Sequence, residues 1–236
     1  MNFLSVLLQV TNPSVENAME LTPPTITTEA QMNIIDLAIK GGWIMIVLLV
    51  LSLVATFVFI ERLMVIRRAG KKDESFMSRI KDYIYDGKVD SALKLCQSIN
   101  SPTARMIEKG ISRLGRPVSD VLATIENVGN IEVAKLEKGF SIVASTAGGA
   151  PMLGFLGTVT GMVRAFFNMA NAGTNVDITL LSGGIYEALV TTVGGLIVGI
   201  IFMFAYNYLV SKVTNVVNQL EFSTMEFMDL LNEPSK

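Results

Sequence analysis

The sequence predicts an all-α integral membrane protein with three transmembrane helices and long cytoplasmic helical extensions. Three apolar runs are long enough to cross a bilayer. Half of the 236 residues are hydrophobic and only 17% are charged, so a water-soluble fold would be left with a largely apolar exterior. Between the runs, apolar residues recur at helical spacing and no strand alternation appears.

The elements follow in chain order. Residues 1–40 read as an uncleaved periplasmic extension. Phe3 to Val10 is apolar but lacks the positive flank and small-residue cleavage site of a signal peptide, and Thr22-Pro23-Pro24-Thr25 reads as an extended linker. Span one covers 41–66. Its uncharged stretch from Trp43 to Ile60 is closed by Glu61 and Arg62 and followed by Arg67, Arg68, Lys71 and Lys72. Residues 67–139 form a helical domain punctuated by Gly87, by Asn100-Ser101-Pro102 and by Gly115-Arg116-Pro117. From Pro117 the pattern runs into span two without a breaker cluster, which predicts one continuous helix.

Span two, 140–167, carries no charge between Lys138 and Arg164 and is rich in small residues, which suits a helix surrounded by protein. Pro151 is expected to kink it near Gly148-Gly149. A loop at 168–183 leads to span three, 184–210, within an apolar run from Ile178 to Val210 whose one charge is Glu187. At about 1.5 Å per residue that run exceeds a bilayer core of roughly 30 Å, and residues 211–236 continue it as a helix in water.

Basic residues set the orientation. Residues 1–42 hold Lys40 alone and 168–183 hold none, whereas most of the chain's basic residues fall in 67–139. The positive-inside rule makes that segment cytoplasmic, the N-terminus periplasmic and the C-terminus cytoplasmic.

Composition also excludes functions. Without histidine and with one cysteine, Cys96, the chain lacks the usual means of building a metal site, a catalytic triad or a disulfide framework. No convergent reactive pair suggests an enzyme, and no basic aromatic cluster suggests nucleic acid.

Glu187 carries the functional expectation. An ionisable side chain inside a span costs roughly 3 kcal/mol and marks function by default. It lies about 14 Å of helix rise beyond Ile178, too deep for so short a side chain to reach the surface. Thr158, Thr160, Thr191 and Thr192 add hydroxyls to the same two spans. Each by itself reads as bonding its own helix. Small residues form two stripes, Ala144, Gly148, Gly154, Gly157, Gly161 on span two and Gly184, Ala188, Gly195, Gly199 on span three, which predicts close packing of these spans with span one facing lipid. Arg164 reads as a solvated end of span two, paired with Asp177 or lipid phosphate.

The run Ala150-Pro151-Met152-Leu153-Gly154-Phe155-Leu156-Gly157-Thr158-Val159-Thr160-Gly161-Met162 resembles the second-span signature A-P-x-x-G-x-x-G-T-V-x-G-[IM] of ExbB and TolQ proteins. The run Gly184-Ile185-Tyr186-Glu187-Ala188-Leu189-Val190-Thr191-Thr192-Val193-Gly194-Gly195-Leu196 resembles their third-span G-I-x-E-A-L-x-x-T-x-x-G-L. Thr160 and Arg164 depart from the typical pattern. The resemblance to the ExbB/TolQ/MotA family implies a homo-oligomeric, pentameric ring in the bacterial inner membrane. Its pore would enclose an ExbD/TolR-like single-span partner and would drive a TonB/TolA-like protein, with protons as the coupling ion and no cofactor. It also implies that Glu187 is the pore carboxylate and that Thr158 and Thr192 are pore threonines. The long N-terminal extension looks more like ExbB than TolQ. A non-conducting scaffold is the competing expectation, in which Glu187 merely bonds a neighbouring helix.

Overall fold

A computed structural model describes residues 41–71, 74–171 and 178–232. Among the described residues every element is an α-helix: α1 Gly42–Ala69, α2 Glu74–Tyr85, α3 Val89–Ser98, α4 Pro102–Ile111, α5 Val118–Glu137, α6 Phe140–Asn171 and α7 Ile178–Asn232. Three of them, α1, α6 and most of α7, are long and apolar enough to cross a membrane. The extension read at 1–40 lies outside the described residues.

Local chemistry explains the short helices. Ser101 is extended and its Oγ accepts a hydrogen bond from the amide of Ala104 at 3.1 Å, with Pro102 opening α4; the cap satisfies one of the amides a helix start leaves free. Gly87 and Gly115 turn the chain at φ of 71° and 88°, a region L side chains avoid.

Outside the spans, α4, α5 and the far half of α7 share one core with α2 and α3. Ile107, Ile111, Ile125 and Phe227 are fully or almost fully buried there, each contributing about 2 kcal/mol by leaving water. Gly110 makes room: a Cβ would meet Ile125 Cδ1 at 2.7 Å and Phe227 Cε1 at 2.9 Å. A polar clamp joins α4 to α5. Glu132, 3% exposed, pairs with Arg105 at 2.5 Å and with Lys135 at 2.7 Å.

Cys96 lies in the same core. Burial, with the Glu108 carboxylate adding to it, pushes its thiol up to about 12, so almost no thiolate exists at neutral pH. A maleimide is expected to leave Cys96 unmodified in the native protein for hours and to label it fully after denaturation, as mass spectrometry would record. Rapid native labelling would contradict this packing.

One expectation fails. The helix from Pro117 does not continue into span two but breaks at Lys138 and Gly139, where Gly139 takes φ 88°. The break lets the end of α5 lean on α1. Arg62 Nη1 donates to the Lys135 carbonyl at 3.4 Å, satisfying one of the acceptors a helix end leaves free, while a Cβ on Gly139 would meet Val58 at 3.2 Å. Span two therefore begins at Phe140 as a separate helix.

In the membrane half, α1 is the least buried of the three spans. Its inner stripe, Ile44, Leu48, Ala55, Val58 and Ile66, packs on the other two, while Trp43, Leu53 and Phe57 stand exposed. Helix α7 begins at Ile178 and continues without a break for 55 residues, roughly 80 Å, so one rod serves both the membrane layer and the bundle.

Candidate functional site in the membrane-spanning helices

Lipid offers no hydrophobic drive for helices to pair, so close backbone approach must supply the contact energy. Glycines on α6 and α7 provide it. A Cβ on Gly195 would lie 2.5 Å from the Ala150 carbonyl oxygen and 2.8 Å from Gly154 Cα, and one on Gly154 would lie 3.0 Å from the Thr191 carbonyl oxygen. Two turns nearer the α6–α7 connection, Gly161 seats on Ala188 and Gly184 on Ala165. Where a glycine Cα–H points at a carbonyl it adds a weak hydrogen bond.

Helix α6 runs through Pro151. A proline at this position leaves the Ala147 carbonyl without its helical donor. Gly199 comes to that carbonyl: a Cβ there would sit 3.1 Å from the Ala147 oxygen and would collide with the Pro151 ring. The small-residue stripe on α6 is shorter than expected, because Gly148 has nothing within 4 Å of its Cβ position.

The hydroxyls divide into two groups. Thr192 Oγ1 donates across the helix pair to the Gly154 carbonyl at 3.0 Å. Thr158, Thr160 and Thr191 each bond within their own helix, to Phe155, to Leu156 and Gly157, and to Ala188.

Glu187 sits between the three spans with its side chain 27% exposed. Its carboxylate presses against Gly42, whose φ is 65° and which has no Cβ to obstruct it. Arg164 Nη1 approaches Glu187 Oε1 at 3.5 Å. A cavity of about 20 Å³ adjoins the pair, lined by Gly157, Thr160, Arg164, Glu187 and Thr191 with the start of α1. That volume admits a single water.

Among the described residues Arg164 has Glu187 as its partner, while its side chain stays 60% exposed and α6 continues past it to Asn171. Asp177, the partner expected for it, lies outside the described residues. The structure brings Glu187 together with Thr160 and Thr191, whereas Thr158 and Thr192 do not line its cavity. The signal for the Arg164 pair was present: between Lys138 and Lys212 the only charges are Arg164, Asp177 and Glu187.

A carboxylate between spans, beside a cation and a water-sized space, can hold and exchange a proton. Among the described residues no group of three or more potential ligands could hold a metal ion.

Comparison with known proteins agrees with this architecture. The chain is 24% identical over 190 residues to a putative biopolymer transport protein ExbB homolog of Methanothermobacter thermautotrophicus, covering 80% of this chain and 67% of that protein. It is 25% identical over 190 residues to the biopolymer transport protein ExbB of Neisseria meningitidis, with 75% and 84% covered. The Tol-Pal system protein TolQ of Haemophilus influenzae is 25% identical over 215 residues, with 80% and 89% covered. The sequence profile of one family matches residues 98–222, more than half of the chain and including both glycine-packed spans. With three apolar helices and an all-helical bundle beneath them, the chain is a multi-pass membrane protein that belongs to the MotA/TolQ/ExbB proton channel family.

Proposed function

We propose that this chain is an ExbB-like motor subunit of a bacterial inner membrane, driven by the proton motive force and energising TonB-dependent transport across the outer membrane. The observation that carries the reading is Glu187, a carboxylate placed among three spans beside a water-sized cavity. Each proton that passes supplies about 2.3 kcal/mol per 100 mV of membrane potential.

The subunit works in a homo-oligomeric ring, a pentamer by resemblance to the family, around an ExbD/TolR-like single-span partner that passes force to a TonB/TolA-like protein. Exposed apolar surface on α6 and α7 supports the ring: Met152, Phe155, Phe167, Leu189 and Phe204 are all more than half uncovered, on spans that α1 shields from one side only. Thr158 and Thr192 are pore-wall hydroxyls. Thr192 stands about 140° around α7 from Glu187, so the two face different sides and meet across a subunit boundary or through the enclosed helix. The bundle below is cytoplasmic, with the N-terminus periplasmic.

The test is growth on iron supplied as a siderophore, with Glu187→Gln compared to wild type at matched membrane level and oligomer size. Loss of growth in an assembled complex is expected. Normal growth of Glu187→Gln, in a strain where growth depends on this gene, would contradict the reading. The extent of the TolQ match supports a second reading, a Tol-Pal envelope-integrity motor. Wild-type independence of siderophore growth from this gene, with detergent sensitivity on its loss, would favour that branch.

A further inference from the structure

We infer that Arg164 is a positioning residue for Glu187: a cation that stays in the membrane and competes with the travelling proton for the same carboxylate. The inference rests on the reading of Glu187 as the proton carrier.

The geometry that brings the two together is built into the helix pair. Gly161 seats on Ala188 and Gly184 seats on Ala165. Arg164 precedes Ala165 and Glu187 precedes Ala188, so these two reciprocal contacts hold the charged neighbours within two residues of the same level, about 3 Å of helix rise. The ion pair of 3.5 Å follows. On the third side the first turn of α1 covers the carboxylate, where only a glycine at position 42 leaves it room, while the Arg164 side chain stays 60% exposed. Among the described residues no other charged side chain lines the cavity.

An arginine inside a span is costly unless paired, and a guanidinium does not give up its proton in a protein. Arg164 is therefore no relay. It holds the carboxylate while the carboxylate is charged, and protonation of Glu187 removes the charge that holds it. Each arriving proton displaces the guanidinium, and the returning guanidinium displaces the proton to a water in the adjoining cavity. The cycle balances, because the proton that binds Glu187 is the one that leaves and Arg164 stays cationic throughout.

Dicyclohexylcarbodiimide, which adds to a protonated carboxyl group in an apolar setting, reads this competition directly. The full complex in native membranes is labelled at neutral pH and the Glu187 adduct is followed by mass spectrometry. Without Arg164 the carboxylate loses the charge that holds it, and because water screens a half-exposed pair, Arg164→Gln is expected to label roughly threefold faster than wild type. Arg164→Lys keeps the charge and is expected to stay near the wild-type rate. Arg164→Met, which retains the apolar stem, replaces the glutamine variant if that does not assemble. A wild-type labelling rate in an assembled Arg164→Gln or Arg164→Met complex would overturn the inference and leave the role of Glu187 standing. Normal siderophore growth of Glu187→Gln, where growth depends on this gene, would overturn that role instead.

Discussion

A Gly195→Val variant is expected to lose most of its assembled protein, because the position has no room even for a methyl group. The Cβ alone would come 2.5 Å from the Ala150 oxygen, 2.8 Å from Gly154 Cα and 3.0 Å from Gly154 N. All three are backbone atoms of a helix and cannot rotate aside. The helices must part, at an overpacking cost of about 1–3 kcal/mol. Parting them also breaks the Thr192 to Gly154 hydrogen bond, worth about 1 kcal/mol in a membrane. The Arg164 and Glu187 pair, set by the same contact further along, loses its register. Gly148→Ala is the control, since its Cβ meets nothing within 4 Å, and it should behave as wild type. Size-exclusion chromatography and thermal unfolding in detergent check both, and equal behaviour of the two variants would contradict the packing described.

The second large effect concerns the clamp outside the membrane. Burial alone would raise the Glu132 carboxyl, but hydrogen bonds from Arg105 and Lys135, with their charges, overcome it and hold the group below its ordinary value. Its contribution to stability is full above the unfolded carboxyl value near 4.3 and is lost as pH falls through the lower folded value. Breaking a fully buried pair costs about 3–5 kcal/mol. Arg105 and Lys135 side chains are 39% and 62% exposed, and water screens them, so Arg105→Ala is expected to cost about 2 kcal/mol. Glu132→Gln should also flatten the loss of stability below pH 4. Denaturant unfolding of the detergent-solubilised protein between pH 3 and 7 measures both effects, and an acid limb unchanged in Glu132→Gln would contradict them.

Much of the architecture is legible in the sequence because the membrane imposes strong local rules. Length and charge mark the three spans, and Glu187 stands out as the one charge in the apolar run from Ile178 to Val210. Ser101-Pro102, Gly87 and Gly115 announce turns through chemistry that acts over a few residues. The break at Gly139 is different. Glycine is common in and near spans, and what selects the left-handed conformation there is the tertiary approach of Arg62 and Val58 from α1. The same limit hides which glycines touch: Gly148 and Gly199 look alike in the sequence, but the rotation of α6 against α7 leaves one open and seats the other on Pro151. Arg164 reads in the sequence as the solvated end of span two because it is the first charge after Lys138. Its partner lies on the next span, and only the packed helices bring the two side chains face to face.

The most direct test of the central claim is proton uptake into liposomes holding the purified complex with its co-purified single-span partner, driven by an imposed membrane potential. Wild type is expected to acidify the lumen, and Glu187→Gln, at equal protein and equal oligomer size, to fall to the level of empty liposomes. Uptake by Glu187→Gln at the wild-type rate would show that protons pass without this carboxylate and would contradict the account.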